Sequence, residues 1–293
     1  MSEADDMQQI QAIARLRKQG LLDKAVDRVL RLLEEARKQI LSEIAASDWD
    51  RFILPKLLRN VDAALETWRM KALAGLATEQ TTGWTGGAEA ASTTLHTMGF
   101  EVSLPALPES LLRALEQRGA TALTGLASFG RQQLDQLIAT SLLSGASRED
   151  VIGQIGSVLQ KSTVLGKPEG RFATLGARAA FIYRQEVGAA FAAAKHRREA
   201  DAMQYVPDLQ RVWRHAGHPR VPRPDHLAMH GQTRGREAFV NPITGAELDH
   251  PRDPTAAIGE TANCTCDVVL WRPLYGDKLE FIGRATTAAD KAA

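Results

Sequence analysis

The chain has 293 residues, 44% of them hydrophobic, and a formal net charge of +1. A chain of this length and composition can bury a sizeable core, and length alone indicates about two domains. The low net charge excludes a global field that attracts nucleic acid or membranes, so such binding would require a local basic patch. Both cysteines, Cys264 and Cys266, lie one residue apart. This spacing excludes a disulfide framework and fits thiols or metal ligands in a reducing compartment.

The N-terminal residues lack the features of a secretory signal. The segment MSEADDMQQI is acidic and has neither a basic region nor an apolar one. No apolar run approaches the length that spans a bilayer, because the most apolar stretch contains Arg184 and Glu186. We therefore expect a soluble protein that is made in a cytoplasm and does not bind membranes.

Residues 1–80 have the pattern of long helices. Apolar residues recur at three- and four-residue spacing, with charged residues between them, and the pattern breaks near Ser47 to Asp50. The stripe could be a coiled-coil surface for an oligomer or partner, or it could close the core of an antiparallel bundle. Its members are Leu22, Val26, Val29, Leu33, Ala36, Ile40 and Ile44 before the break and Phe52, Leu57, Val61, Leu65, Trp68 and Ala72 after it.

Residues 81–108 differ in composition from the flanking segments. They are rich in Gly, Thr and Ser and end with Pro105 and Pro108. This composition predicts a long connection, with a short hairpin around Phe100 to Leu104, and a domain boundary within it.

Residues 109–203 form a second helical block in this interpretation. Helices are predicted at about 109–117, 126–144, 148–159 and 172–200. Ser147 with Asp150 has the form of a capping box at the start of the third helix. Arg184 and Glu186, in the fourth, could be a buried functional pair or ordinary exposed charges.

Residues 204–277 read as a small α+β domain, and residues 278–293 as a flexible tail. Strands are predicted around Val212 to Trp213, at Phe239 to Val240 and over Asn263 to Trp271, with a short helix over His226 to Gly231. The predicted fold class is therefore mainly α with a small C-terminal α+β domain, preceded by a long N-terminal helical bundle or coiled-coil-like helices.

A set of four potential metal ligands lies in this region. His226 and His230, four residues apart, would share a helix face, and Cys264 and Cys266 would share a strand face. Together they would form a tetrahedral Cys2His2 set that suits Zn(II). Four protein ligands would make a closed structural site, whereas a ligand replaced by water would make an open one. Alternatively, the cysteines pack as small buried residues and the histidines are surface groups.

Six arginines lie between residues 211 and 236, against one acidic residue, Asp225. They could contact the phosphates of double-stranded DNA or an acidic face of a partner protein, or they could pair with the acids that follow. A metal-dependent enzyme acting on nucleic acid or a nucleotide remains an alternative, although neighbours such as Asp225 and His226 do not share a helix face. The chain contains no nucleophile elbow, glycine-rich phosphate loop or H-E-x-x-H motif. The arginines are Arg211, Arg214, Arg220, Arg223, Arg234 and Arg236.

One ordered set of residues runs through the second half of the chain: Arg184, Glu186, Arg223, His226, Gly231, Asn263, Cys264 and Cys266. This order resembles the pattern of the phage Mu protein F-like family of head morphogenesis, or minor capsid, proteins. The resemblance covers roughly residues 135–271, with Gln185 in place of the family's Thr and Thr265 in place of the Arg between the cysteines.

The resemblance implies a virion protein that is associated with the portal in the phage head and made in the bacterial host cytoplasm. Expected partners are the portal protein, the major capsid or scaffolding proteins, and packaged double-stranded DNA, whose packaging or ejection the protein would aid. The cluster of Arg223, His226, Cys264 and Cys266 would stabilise the domain rather than catalyse a reaction. An intracellular effector outside any capsid is a further alternative.

Overall fold

The computed structural model describes residues 3–160, 174–215 and 223–285. Five long helices make up most of it: α1 (Glu3–Ala45), α2 (Leu54–Thr97), α3 (Glu109–Ser144), α4 (Arg148–Val158) and α5 (Leu175–Ala202). Arg220, Phe172 and the end of the predicted tail lie outside the described residues. No helix within the described ranges is long and apolar enough to cross a membrane.

The chain divides into two compact units. Unit 1 comprises Met1–Leu21, Gln80–Leu115 and Val187–Ala293, and unit 2 comprises Leu22–Glu79 and Glu116–Glu186. The boundaries expected near residues 80, 108 and 203 therefore do not separate an N-terminal from a C-terminal domain, because each unit is assembled from distant parts of the sequence.

The apolar stripe of the first two helices closes a core within unit 2. Every member of the stripe is buried except Phe52, which is 80% exposed in the short 3-10 helix Arg51–Ile53 between α1 and α2. The predicted break between the helices is confirmed, since α1 ends at Ala45 and α2 begins at Leu54. This burial favours the bundle interpretation over a free coiled-coil surface.

The predicted connection at residues 81–108 is wrong over most of its length. Helix α2 continues to Thr97, and the expected hairpin at residues 100–104 is absent from this described stretch. The glycines mark a close approach to α5: a Cβ at Gly83 would lie 2.9 Å from the carbonyl oxygen of Val187, and one at Gly87 would overlap that of Phe191. Small residues serve helix packing here rather than a turn.

Helix α3 is one helix where two were predicted. Its buried residues keep helical spacing through residues 118–125, so nothing in the packing requires a break. They include Leu115, Leu123, Leu126, Leu134 and Ile138. The capping prediction for α4 is confirmed, since the Ser147 side chain accepts the N–H of Asp150.

The C-terminal part contains short strands and helices, which confirms the predicted fold class. An antiparallel sheet has the order β2 (Thr233–Arg234), β1 (Gln210–Arg214), β5 (Asp267–Trp271), and β3 (Phe239–Val240) pairs with β4 (Glu247–Leu248). In the central register Val212 faces Val269. The short helices are α6 (Pro224–Ala228), α7 (Ile258–Thr261) and α8 (Lys278–Ile282), with a 3-10 helix at Pro273–Tyr275.

This α+β region shares its core with the start of the chain. Met7 of α1 and Leu95 of α2 belong to the same buried cluster as Val269 and Leu270 of β5. The side chain of Gln11 also donates to the carbonyl oxygen of Leu270 at 3.1 Å. The region predicted as an independent domain over residues 204–277 therefore depends on the N-terminal helix for its packing.

The predicted tail begins with an ordered helix. Asp277 caps α8 by accepting the N–H groups of Leu279 and Glu280, and Phe281 and Ile282 are buried in the core. The prediction of a flexible segment is therefore wrong for residues 278–282, because their apolar side chains complete that core. Residues 286–293 lie outside the described ranges.

Candidate metal centre

Three predicted ligands meet at one buried point in unit 1. The Nδ1 atom of His226 lies 3.4 Å from the Sγ atom of Cys264 and 3.6 Å from that of Cys266. Each of the three residues is 2% exposed. Trp213 of β1 packs edge-on against the His226 ring, with the ring centroids 5.7 Å apart. The predicted proximity of these three residues is therefore confirmed.

The backbone explains how the Asn-Cys-x-Cys segment presents both sulfurs. Asn263 adopts a left-handed conformation with φ of 54°, which asparagine tolerates better than most residues. Cys264 and Cys266 are buried and Thr265 is exposed between them, although the strand predicted to start at Asn263 begins only at Asp267. Thr265, which stands where the pattern of the resembled family has arginine, is thus outside the buried centre.

Helix α6 presents His226 from the other side. Pro224 occupies the first turn, where its missing N–H is not needed, and buried Met229 anchors the end. Gly231 ends this segment with φ of 82°, a conformation that favours glycine. Both Gly231 and Asn263 in the motif therefore have backbone roles.

The separations between ligand atoms fit a tetrahedral zinc ion. All three ligand atoms lie within 4.8 Å of one another. Bonds of about 2.0–2.1 Å to nitrogen and about 2.3 Å to sulfur place the two ligand atoms about 3.6 Å apart in a tetrahedral site. The nitrogen–sulfur distances of 3.4 and 3.6 Å match this spacing, so an ion could enter with little rearrangement.

The electrostatics of the group favour a thiolate. A hydrogen bond from Cys266 is the main cause that lowers the pKa of Cys264, and His226 and Arg252 lower it further against the effect of burial. The pKa of Cys266 is raised, chiefly by its hydrogen bond with Cys264 and by burial. Burial lowers the pKa of His226, but the hydrogen bond and charge of Cys264 outweigh it, so the net shift is upward. Thiolate is the form that binds metals.

His230 is not a fourth ligand. Helix α6 ends at Ala228, so His226 and His230 do not continue along one helix face. The Nδ1 atom of His230 accepts the backbone N–H of His215 at 3.1 Å, and its Nε2 atom donates to the carbonyl oxygen of Gly283 at 2.8 Å. Both ring nitrogens of His230 are therefore engaged in hydrogen bonds away from the two sulfurs, and the expected four-ligand set is wrong for His230.

Arg211, predicted to contact DNA or the portal, is a buried structural residue. Its guanidinium donates to the carbonyl oxygens of Gly235, Asp249 and Glu237 at 2.7–2.9 Å. These contacts fix the loops between the short strands, and burial lowers the pKa of Arg211. A buried side chain with this set of partners is not available to phosphate.

The other described arginines do not form one open basic surface. Arg223 binds the Asp225 carboxylate, and Arg234 donates to the carbonyl oxygens of Ala238 and Thr233. Arg214 is partly buried, and burial lowers its pKa. Of the predicted arginines within the described ranges, Arg236 alone is exposed.

Arg184 and Glu186, which are part of the family resemblance, lie in unit 2, whereas the candidate metal ligands lie in unit 1. Glu186 is buried and accepts a hydrogen bond from Arg118 Nε at 3.0 Å. Burial raises the pKa of Glu186 despite this partner. Arg184 lies 4.0 Å from Asp23. Glu186 therefore belongs to an internal ion pair, contrary to the interpretation as an exposed helix charge.

Sequence reasoning missed a set of polar residues behind His226. Asp225 Oδ2 lies 4.0 Å from His226 Nε2, although neighbours on a helix were not expected to share a face. Helix α6 is little more than one turn long, so helix periodicity does not separate the two side chains. Asn241 donates to Asp225 at 3.2 Å and to Glu260 at 2.8 Å. The only sequence signal for this polar set was the presence of polar residues among several short predicted elements.

A buried charge cluster, also missed, lies beside the centre. Lys195 of α5 is 3.4 Å from Asp267 and 3.5 Å from Glu199, and Lys18 of α1 is 4.0 Å from Asp267. Burial lowers the pKa of Lys195, but both carboxylates outweigh it, so the net shift is upward. The cluster borders a cavity of about 10 Å³, on the order of one water molecule. Because Asp267 follows Cys266 directly, these ion pairs also fix the start of β5.

Arg252 connects α5 with the cysteine segment. It has a left-handed backbone with φ of 65°, and its Nε atom donates to the carbonyl oxygen of Cys264 at 2.7 Å. The guanidinium occupies the space where a Cβ at Gly188 would lie. Gly188 therefore makes room for the arginine that holds the Cys264 backbone.

Comparison with known proteins gives no match: no family model, curated protein or solved structure is significantly similar to the chain. The resemblance in the motif residues stays a prediction, and the geometry of the site carries the functional argument.

Proposed function

We propose that the chain is a minor head protein of a tailed bacteriophage, a structural component of the procapsid and virion associated with the portal. In this proposal His226, Cys264 and Cys266 hold a zinc ion that stabilises the C-terminal α+β region. The observation that supports it is the convergence of the motif residues of that region on one buried centre. Resemblance along the sequence and proximity in the fold thus involve the same residues.

Each motif residue in this region has a part in building the centre. Asn263 and Gly231 supply left-handed backbone, His226 and the two cysteines supply ligand atoms, and Arg223 holds Asp225 behind the histidine ring. A pattern assembled by chance has no reason to meet at a single point. The motif is therefore best explained as the specification of this site.

The burial of the centre favours a structural ion over a catalytic one. A catalytic zinc ion needs a position open to substrate, whereas all three ligand residues are 2% exposed. Asp225 and Glu260 group with His226, and Asp225 lies 4.0 Å from its Nε2 atom, whereas the sulfurs lie at Nδ1. The carboxylates are therefore poorly placed to activate a water on an ion bound at Nδ1.

One observation favours the alternative of a metal-dependent enzyme acting on nucleic acid or a nucleotide. The described residues supply three ligands to this group rather than four. Three protein ligands with a fourth position for water is the arrangement typical of catalytic zinc. Cobalt substitution tests this alternative, since an open position would change the cobalt spectrum when small anions are added and a closed one would not.

The zinc centre is tested by metal analysis of the purified chain. We expect about one zinc ion per chain, as in other single structural sites. Cys264→Ser should lose the ion and melt at a lower temperature, whereas His230→Ala, the matched control, should keep it. A wild-type chain that contains no zinc and melts unchanged in chelator would contradict this part of the proposal.

The head assignment is tested by co-expression with the portal and major capsid proteins of the same gene cluster. We expect mass spectrometry of purified particles to detect the chain at low copy number. A soluble chain that is absent from particles would contradict the assignment and leave the zinc centre untouched. Contact with the portal or capsid is the interaction we propose, since the described arginines give little support to a DNA surface.

A further inference from the structure

One ring nitrogen of His226 lacks a hydrogen-bond partner among the described residues. This atom, Nε2, is buried. The Nδ1 atom, in contrast, faces both sulfurs. A buried polar atom without a partner costs about 1–3 kcal/mol, so its persistence in a packed centre needs a reason.

Metal binding determines where the imidazole proton must lie. A neutral histidine that coordinates through Nδ1 carries its proton on Nε2, and that N–H then needs an acceptor. Asp225 and Glu260 offer carboxylate oxygens within 4.8 Å of a ring nitrogen of His226 and of each other. Asp225 Oδ2 is 4.0 Å from Nε2, close enough that a small movement of the ring would form the hydrogen bond.

The surrounding residues fix the Asp225 carboxylate. Arg223 donates to it twice, from Nε at 3.3 Å and from Nη2 at 2.9 Å. Asn241 donates at 3.2 Å and is itself held, because its Oδ1 atom accepts the backbone N–H groups of Ile243 and Thr244. A carboxylate with three fixed donors is preorganised to accept from one more.

We propose that Asp225 is the positioning residue of the metal centre. Its carboxylate accepts the Nε2 proton of His226 and so fixes the ring tautomer and orientation that present Nδ1 to the ion. Arg223 and Asn241 act one step further out by holding Asp225. This inference rests on the proposed zinc centre, and it gives Arg223 a role in metal binding instead of DNA contact.

The test measures zinc affinity by competition with a chromophoric chelator on the full chain at neutral pH. Loss of such an outer partner typically weakens metal binding 10–100-fold, and we expect a loss of about this size for Asp225→Ala. Asp225→Asn should lie between Asp225→Ala and wild type, because its amide oxygen still accepts but carries no charge. Asp208→Ala is the matched control: Asp208 takes a similar two-point contact from Arg272, at 2.9 and 2.7 Å, and should leave the affinity unchanged.

A second measurement separates positioning from general destabilisation. In the zinc-loaded chain, the Nε2 proton of His226 should give a nuclear magnetic resonance signal that exchanges slowly with solvent. Asp225→Ala should speed this exchange and Asp225→Asn should partly restore protection, whereas the Asp208→Ala control should not change it. A merely structural role for Asp225 would not predict this order.

The outcomes distinguish the inference from the proposal beneath it. Zinc binding by Asp225→Ala as tight as in wild type would overturn the positioning role and leave the zinc centre standing. No zinc binding by wild type would overturn the centre and this role with it. A second zinc ion that depends on Glu260 and Asp225 would show that the carboxylates are ligands instead. If Asp225→Ala does not fold, Asp225→Asn against Asp208→Asn decides by the same criterion.

Discussion

Replacing Gly87 with alanine should destabilise unit 1, although the same change stabilises most helices. A Cβ at Gly87 would overlap the carbonyl oxygen of Phe191 and lie 2.9 Å and 3.1 Å from its carbonyl carbon and Cα. These are backbone atoms of α5, so the strain cannot be relieved by a side-chain rotation. Overpacking of this kind costs about 3 kcal/mol, offset by about 1 kcal/mol of better helix propensity. The expected net loss is about 2 kcal/mol.

Gly20→Ala provides the matched control. Gly20 lies in the part of α1 that belongs to the same unit and is exposed, and a Cβ at this position would have no neighbouring atom within 4 Å. This change should stabilise by up to about 1 kcal/mol. The melting temperature should therefore fall by about 4–8 °C for Gly87→Ala and rise by about 2–4 °C for Gly20→Ala. A Gly87→Ala variant as stable as wild type would refute the close helix approach and favour a loop at residues 81–108.

Two further predictions concern acid and the N-terminus. Burial, with the charges of His250 and Arg211, lowers the pKa of His196 to about 3. In the unfolded chain His196 binds a proton near pH 6.5. The free energy of unfolding should therefore decrease as the pH is lowered from about 6.5 to 3, by about 2 kcal/mol between pH 6.5 and 5. Urea unfolding at both pH values should show this slope, and His196→Gln should reduce it; an equal slope would contradict the assignment. Deleting residues 1–21 removes Met7 from the core, so the remnant should aggregate on size exclusion; a monomeric, cooperatively melting remnant would contradict the shared core.

Long periodic segments were predictable because a single face repeats over many residues. The buried stripe from Leu22 to Ile44 and the break before Leu54 follow from spacing alone. The helix through Gly83 and Gly87 could not be predicted from spacing, because a glycine-rich segment is typical both of turns and of close helix contacts. Only the position of α5 shows which of these applies, and that position is set by residues about 100 places later in the chain.

At the site, residue types were predictable and partners were not. Cys264 and Cys266 meet at His226 as expected, although they precede β5 and do not lie in it, as the strand predicted from Asn263 required. The prediction for His230 was wrong because α6 ends at Ala228, before His230, so helical spacing does not relate His230 to His226. The burial of Arg211 could not be read from charge either, since its partners are backbone carbonyl oxygens that every sequence possesses.

The hydrogen bond from Gln11 to Leu270 closes a separation of 259 residues. During synthesis α1 emerges long before β5, so the side chains of α1 that contact β5 can be buried only after that strand has been translated. The cysteines immediately precede that strand. The candidate metal site therefore takes its final form among the last events of folding, and in the proposed zinc centre the ion would bind after the long helices have assembled. In that proposal, a shortage of zinc would leave chains with formed helices and an incomplete C-terminal region.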